Sequence, residues 1–237
     1  MLRTIPVISA LKFSLPALCL VFSYGVNATG MVPESSVVII EEQNGEGTMN
    51  VTNTDSFPML LTTTVQGISQ DNETLLLVSP PAIRVDAGKT QKVRFVLASR
   101  QPLKTERLRR VIFSGIPPQN KGKNEVRMSV SQNLPVLIRP AGLPKDEAPW
   151  KRLSWKVAGG KLMVSNDSQY VVRLAQAVKA LPEGTDLTLP QSYILPGEHL
   201  TLTPSAGKTL GNPNQVQISP ATTWGYSVDT YLASVAH

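Results

Sequence analysis

The chain has 237 residues, with 23 lysines and arginines against 17 aspartates and glutamates, two histidines and one cysteine. The positive excess is small and scattered, with Arg107, Arg109 and Arg110 the only tight cluster, so the concentrated basic surface and aromatic platforms of a nucleic-acid binder are missing. So few histidines and cysteines leave no ligand spacing for a metal site.

Arg3 and Lys12 precede an apolar segment from Phe13 to Val26, which is followed by Asn27-Ala28, small residues suited to peptidase cleavage. That is the pattern of a secretory signal over residues 1–28. Pro16 interrupts the apolar run, which is shorter than the roughly 20 residues of a membrane span, and no later segment approaches that length. An exported chain without stable membrane insertion is expected, beginning near Thr29. Cleavage near Ala28 would remove Arg3, Lys12 and Cys19, leaving 209 residues with 21 basic against 17 acidic side chains and no cysteine. Leu18 before Cys19 is a poor match to the small residue of a lipoprotein cleavage site. An exported chain without disulfides must rely on core burial, and this length suits two domains of about 100 residues.

Short β-rich runs then follow in order: Ser36 to Ile40, Gly47 to Asn53, Met59 to Gln66, Thr74 to Val78, Thr90 to Leu97 and Arg109 to Ser114. Asn44-Gly45, Pro80-Pro81 and Ala87-Gly88 punctuate them, and no helical stripe of comparable length appears, so the spacing predicts an all-β sandwich. The loop from Ala98 to Arg107 has room for a helical turn. Arg107 and Arg109 share one face of a strand, which reads as a solvated face.

The stretch Asn124 to Pro140, NEVRMSVSQNLPVLIRP, carries the strongest alternation: Val126, Met128 and Val130 point one way while Arg127, Ser129 and Ser131 point the other. It follows a polar loop, Gln119 to Asn124, and runs into the apolar Val136 to Ile138 before ending at Arg139-Pro140. At a sheet edge such a strand is a template on which another protein's missing strand can be completed. The alternation fits equally a strand that only fills its own core.

Proline and glycine from Pro140 to Pro144, then the polar Lys145 to Pro149, mark a junction. The expected division is an N-terminal domain over 29–141, a linker over 142–149 and a C-terminal domain over 150–237. Strands in the second half are expected at Ser154 to Val157, Lys161 to Asn166, Tyr170 to Ala180, Ser192 to Leu195, His199 to Thr203, Gln215 to Ser219 and Ser227 to Ser234.

Catalytic signals are weak throughout. His199 sits beside Glu198 in an expected hairpin, no G-x-S-x-G elbow occurs, and the pairs Glu41-Glu42 and Asp146-Glu147 are chain neighbours whose carboxylates point apart on an extended strand. Ala158-Gly159-Gly160-Lys161 reads as a hairpin turn because no helix follows it as in a phosphate loop. No catalytic residue and no cofactor are expected, which favours a binding or folding role over an enzyme.

At this point a set of segments resembles the PapD-like periplasmic chaperones of chaperone-usher pili. They are GEGTMNVTN from Gly45 to Asn53, Pro80-Pro81 with VDAGKTQKVRF from Val85 to Phe95, ERLRRVIFSGIPP from Glu106 to Pro118, LPVLIRPAGLP from Leu134 to Pro144, and Leu162 to Leu174. The resemblance implies two immunoglobulin-like sandwiches set at an angle in a boomerang. It also implies that Val126, Met128 and Val130 are lent to a pilus subunit lacking its final strand, before delivery to an outer-membrane usher. Glu106, Arg139 and Asp229 match a buried ionic contact joining the domains. The family's usual anchor for the subunit's terminal carboxylate is an arginine on the first strand and a lysine on the last strand of the first domain. Here the first stretch reads Glu34-Ser35-Ser36-Val37-Val38 and the lysine's position reads Pro135, which leaves Arg139, Arg94, or hydroxyls such as that of Ser36 as candidates.

Two other readings compete. A pilus subunit or adhesin would carry an N-terminal donor extension and usually a disulfide, whereas Thr29 to Ser36 is short and polar. A carbohydrate-binding sandwich would expose an aromatic platform, for which Trp150, Trp155 and Trp224 are the available residues.

Overall fold

A computed structural model describes residues 30–118, 129–204, 208–222 and 225–237. The first sandwich contains β1 (Met31–Pro33), β2 (Val38–Glu41), β3 (Glu46–Asn53), β4 (Met59–Gln66), β5 (Leu76–Ser79), β6 (Ala82–Val85), β7 (Thr90–Leu97), β8 (Arg107–Ile116) and β9 (Ser131–Arg139). Its strands form one continuous ladder in the order β5-β7-β3-β2-β9-β8-β4-β6, with β1 paired to β3. β2 joins the two layers: it meets β3 at the single pair Glu41↔Glu46 and runs parallel to β9 from Val38↔Val136 to Glu41↔Arg139. Gly45, at φ 68, makes the tight reversal between β2 and β3, a left-handed conformation that suits glycine. Between the layers lie Met49, Val51, Val93 and Phe95 from one side and Ile40, Leu61, Val111, Phe113, Val136 and Ile138 from the other. Phe95 and Phe113 meet edge to face, with ring centroids 6.3 Å apart.

The second sandwich contains β10 (Ser154–Ala158), β11 (Lys161–Ser165), β12 (Val172–Leu174), β13 (Ala177–Leu181), β14 (Thr185–Thr188), β15 (Tyr193–Ile194), β16 (His199–Leu202), β17 (Gln215–Ile218), β18 (Pro220–Ala221) and β19 (Tyr231–Ala236). A seven-stranded sheet in the order β14-β13-β17-β19-β10-β11-β16 packs against the short β15-β12-β18. Trp150 and Trp155 are buried in this core, at 7% and 2% exposure, so neither forms an exposed carbohydrate platform. Trp224 lies outside the described residues.

Several elements differ from expectation. Tyr170 to Ala180 is not one strand: β12 belongs to the small sheet and β13 to the large one, and the chain changes layer at Ala175-Gln176. There the Ala175 N–H donates to Ser219 O and the Gln176 side chain to Leu189 O, so backbone groups freed by the crossing are bonded elsewhere. The loop before β8 contains no helical turn. Ser99 donates to Gln101 O, and the Leu103 N–H is held by Glu42 Oε1 at 2.8 Å. Arg109 is 1% exposed, the opposite of a solvated residue. Its guanidinium is bonded to Asp71, Glu73 O and Leu108 O, while Arg107 pairs with Asp71 and Glu73.

Candidate functional site

Residues two apart on a strand share a face, and the face of β8 and β9 turned away from the first core meets the second sandwich. Along it three layers follow one another. The first is ionic. Arg139 Nε donates to Glu106 Oε1 at 3.1 Å and Nη1 to Glu41 Oε1 at 3.2 Å. Glu106 spends its other oxygen on the Val171 N–H at 2.8 Å, and its own N–H donates to Gln169 O at 2.9 Å, so one carboxylate joins both sandwiches. The side chains of Arg139 and Glu106 are each 2% exposed. Burial pushes the Glu106 carboxyl above its ordinary range, although the Val171 N–H and Arg139 oppose this.

Asp229 does not belong to this network. It is exposed on the stretch before β19, and Glu41 takes its place because the parallel register of β2 and β9 sets Glu41 beside Arg139. No sequence spacing reveals that pairing, because Glu41 and Arg139 lie at opposite ends of the first sandwich's sequence.

The second layer is apolar. Leu108 and Leu137, directly opposed on β8 and β9, pack with Val37, Ile68 and Val171, and with the half-buried Ile39, Tyr193 and Leu195. The third layer is cationic. Arg110 lies opposite Pro135 in the same ladder, and Arg173 on β12 lies two residues beyond Val171 and opposite Tyr193. Arg110 is clasped by Asn133, whose Oδ1 and backbone oxygen accept from Nε and Nη2 at 2.8 and 2.7 Å. Arg173 Nη1 is buried and has no hydrogen-bond partner. Burial, then the charge of Arg110, holds the Arg173 guanidinium below its ordinary value, and burial does the same for Arg110. Neither arginine has a carboxylate partner among the described residues. The sequence reading did not single out Arg173. Its signal was a lone cation between two apolar neighbours, Val172 and Leu174.

The three anchor candidates fall in different places. Arg139 is 2% exposed and already paired with Glu41 and Glu106. Arg94 lies on β7, in the layer away from this seam, paired with Glu46. Ser36 does reach the seam, donating to Gly225 O at 3.5 Å.

The residues expected to be lent are only partly described: Val126 and Met128 lie outside the described residues, and Val130 stands just before β9 at 50% exposure. The nearby geometry is nonetheless informative. β8 pairs with β9 from Ser131 onward, but β2 joins its other edge only at Val136, so Ser131 to Pro135 keeps one unpaired edge among the described residues. Pro135, with no N–H to give, sits where the β2 ladder has not begun. Leu60 and Ile116, opposite each other at the end of β4 and β8, are exposed at 41% and 45%.

Comparison with known proteins adds to this geometry. Residues 30–144 match the family described as "Pili and flagellar-assembly chaperone, PapD N-terminal domain", and residues 148–231 match "Pili assembly chaperone PapD, C-terminal domain". The chain is 41% identical over 209 residues to the uncharacterized fimbrial chaperone YhcA of Escherichia coli strain K12, covering 88% of this chain and 92% of that one. It is 27% identical over 190 residues to the chaperone protein MrkB of Klebsiella pneumoniae, covering 73% and 82%. Among solved structures, the fold resembles the Salmonella enterica SafA pilin in complex with the SafB chaperone, at a TM-score of 0.70, 22% identity and coverage of 88% and 97%. It also resembles the Escherichia coli chaperone DraB, at a TM-score of 0.69, 23% identity and the same coverage. With both domain families matched in order and two all-β sandwiches in place, the chain belongs to the PapD family of pilus-assembly chaperones, with their immunoglobulin-like fold.

Proposed function

We propose that this chain is a periplasmic chaperone that caps pilus subunits by lending them the edge strand ahead of and including the start of β9, and hands them to an outer-membrane usher. The observation that carries the reading is the unpaired edge from Ser131 to Pro135, entered from the exposed Val130. An unfinished subunit sandwich exposes an apolar groove that would otherwise aggregate, and filling it gains about 25 cal/mol per Å² of apolar surface buried. Val126, Met128 and Val130 would enter that groove, while the backbone supplies the missing ladder. Release follows when another subunit's extension replaces the lent strand. Relatives named as fimbrial chaperones, and a chaperone solved with its pilin, support this assignment.

The test is recovery of subunit with the tagged full chain from the periplasm, the co-purified subunit being identified by mass spectrometry. Met128→Glu would force a charge into the subunit's groove and should abolish recovery with no change in the melting temperature of the free chaperone. Undiminished recovery of the subunit would overturn the strand-lending reading.

A further inference from the structure

The two sandwiches are fastened to each other in unequal ways. One fastening is buried: the Glu106 carboxylate takes the Val171 N–H at 2.8 Å, its own N–H donates to Gln169 O at 2.9 Å, and the Gln169 amide donates to Lys104 O at 2.8 Å. The other consists of exposed, uncharged side chains alone. Gln70 Nε2 donates to Gln191 Oε1 at 2.5 Å, and the Tyr193 hydroxyl donates to Gln70 Oε1 at 3.0 Å. A recess of about 410 Å³ touches both Gln70 and Glu106, with Ile68, Leu108, Leu195 and Pro196 along its walls. We propose that Gln70 is a releasable latch, and that the second sandwich turns about Glu106 when a subunit seats on the lending edge, a trigger that rests on the chaperone function proposed above.

Both halves of the latch are firmly mounted, so movement has to pass through the contact itself. Ile68 and Asp71 exchange backbone hydrogen bonds at 3.0 Å, which puts Ser69 and Gln70 at the tip of a tight turn, and Asp71 is clasped by Arg107 and Arg109. Across the seam, Gln191 Nε2 donates to the Glu198 carboxylate at 3.0 and 3.2 Å, and the same carboxylate holds the Leu195 N–H at 2.8 Å. An exposed neutral hydrogen bond is exchanged for water at little net cost, whereas freeing Glu106 from the second sandwich would leave buried polar groups unpaired. The latch therefore opens first. The recess gives the apolar layer room to shift there, which close packing would forbid. The bond from Ser36 to Gly225 O, at 3.5 Å, is at the long limit for a hydrogen bond and offers little resistance.

Tyr193 connects the latch to the lending edge. It packs on the layer of Leu108 and Leu137 and lies opposite Arg173 on β12. Arg110, close enough for its charge to be felt by Tyr193, is opposite Pro135, where the open edge of β9 ends. A subunit strand that reaches Pro135 thus arrives beside the residue whose hydroxyl closes the latch.

The test places nitroxide labels on cysteines introduced at the exposed positions 92 and 161, one on each sandwich, and reads their separation by double electron resonance; residues 30–237 contain no cysteine of their own. In the free chaperone Gln70→Ala and Gln191→Ala should each broaden the distance distribution to the same extent, and the double variant no further, with no fall in melting temperature. Gln70→Glu combined with Gln191→Lys replaces the amide pair by an ion pair, and should restore the narrow distribution at low salt but not at about 1 M salt. The unaltered chaperone carrying its co-purified subunit should move to the separations that Gln70→Ala adds. A distribution unchanged by Gln70→Ala overturns the latch. So does a broadening that comes with a lower melting temperature, because Gln70 would then be a fixed part of the seam. A complex that keeps the separations of the free chain overturns release by the subunit. If no subunit is captured, the functional reading beneath the trigger fails, while the measurements on the free chaperone still decide the latch.

Discussion

A guanidinium that is 1% exposed has given up its water, and Arg109 tolerates this because every direction is answered. Asp71 Oδ1 and Glu73 O accept from Nη2 at 2.7 and 2.8 Å, and Leu108 O accepts from Nη1 at 2.7 Å. Burial alone would raise the Asp71 carboxyl, but hydrogen bonds from Arg109 and Arg107 outweigh it and hold the group below its ordinary value. A carboxyl depressed in the folded state adds stability that is present above its unfolded value and lost as pH falls through the folded one. Asp71→Asn leaves Arg109 buried beside a neutral partner and should cost about 3 kcal/mol or more. Urea titrations from pH 7 down to pH 3 should therefore show a steeper loss of stability in the unaltered chain than in the variant, and parallel curves would contradict this account. The Arg107 to Arg110 cluster was visible in the sequence, but its meaning was not. The parity of a strand says that Arg107 and Arg109 share a face; that this face closes over Asp71, 38 residues earlier in the chain from Arg109, is a tertiary fact.

At the scale of elements, period-two alternation was the reliable signal and continuity was not. β3, β4, β7 and the last part of β9 lie where apolar alternation or apolar runs placed them, because each fills a core face. β1, β6, β14 and β18 went unread, being only two to four residues each, and β12 and β13 were fused because apolar residues continue across the change of sheet. β9 is divided in a way that the sequence marks only by Pro135: its later half is paired on both edges and its first half on one. Hydrogen exchange should reflect this division. Backbone amides from Ser131 to Leu134 that do not bond to β8 should exchange rapidly in the free chaperone and become protected when a subunit binds, while those from Val136 to Arg139 should be slow in both. Equal protection of the two halves in the free protein would mean that the edge is already covered.

Across the whole molecule the seam holds three layers in sequence: an ion-pair network, an apolar contact and two part-buried cations. Two sandwiches were legible from strand count and length, and Glu106 and Arg139 do meet, but Glu41 in place of Asp229, and the Arg110–Arg173 layer, depend on a parallel register and on how the sandwiches dock. A buried pair is weak evidence of net stability, yet breaking one is costly. Arg139→Met leaves Glu106 buried without its cation, and should lower stability by about 3–5 kcal/mol. Small-angle scattering should also show a broader distribution of interdomain distances in the variant, because Glu106 is a buried carboxylate bonded to both sandwiches and Arg139 holds it in place. An unchanged distribution would assign the set of the domains to the apolar layer and the other bonds across the seam, such as those of Gln70 with Gln191 and Tyr193.

Strand lending itself is tested most directly by placing a photocrosslinker, one position at a time, from residue 126 to residue 131 of the full chaperone and collecting crosslinks to the subunit in the periplasm. The account predicts alternation, with strong crosslinks from 126, 128 and 130 and weak ones from 127, 129 and 131. Uniform crosslinking, or crosslinks confined to the odd-numbered positions, would contradict it.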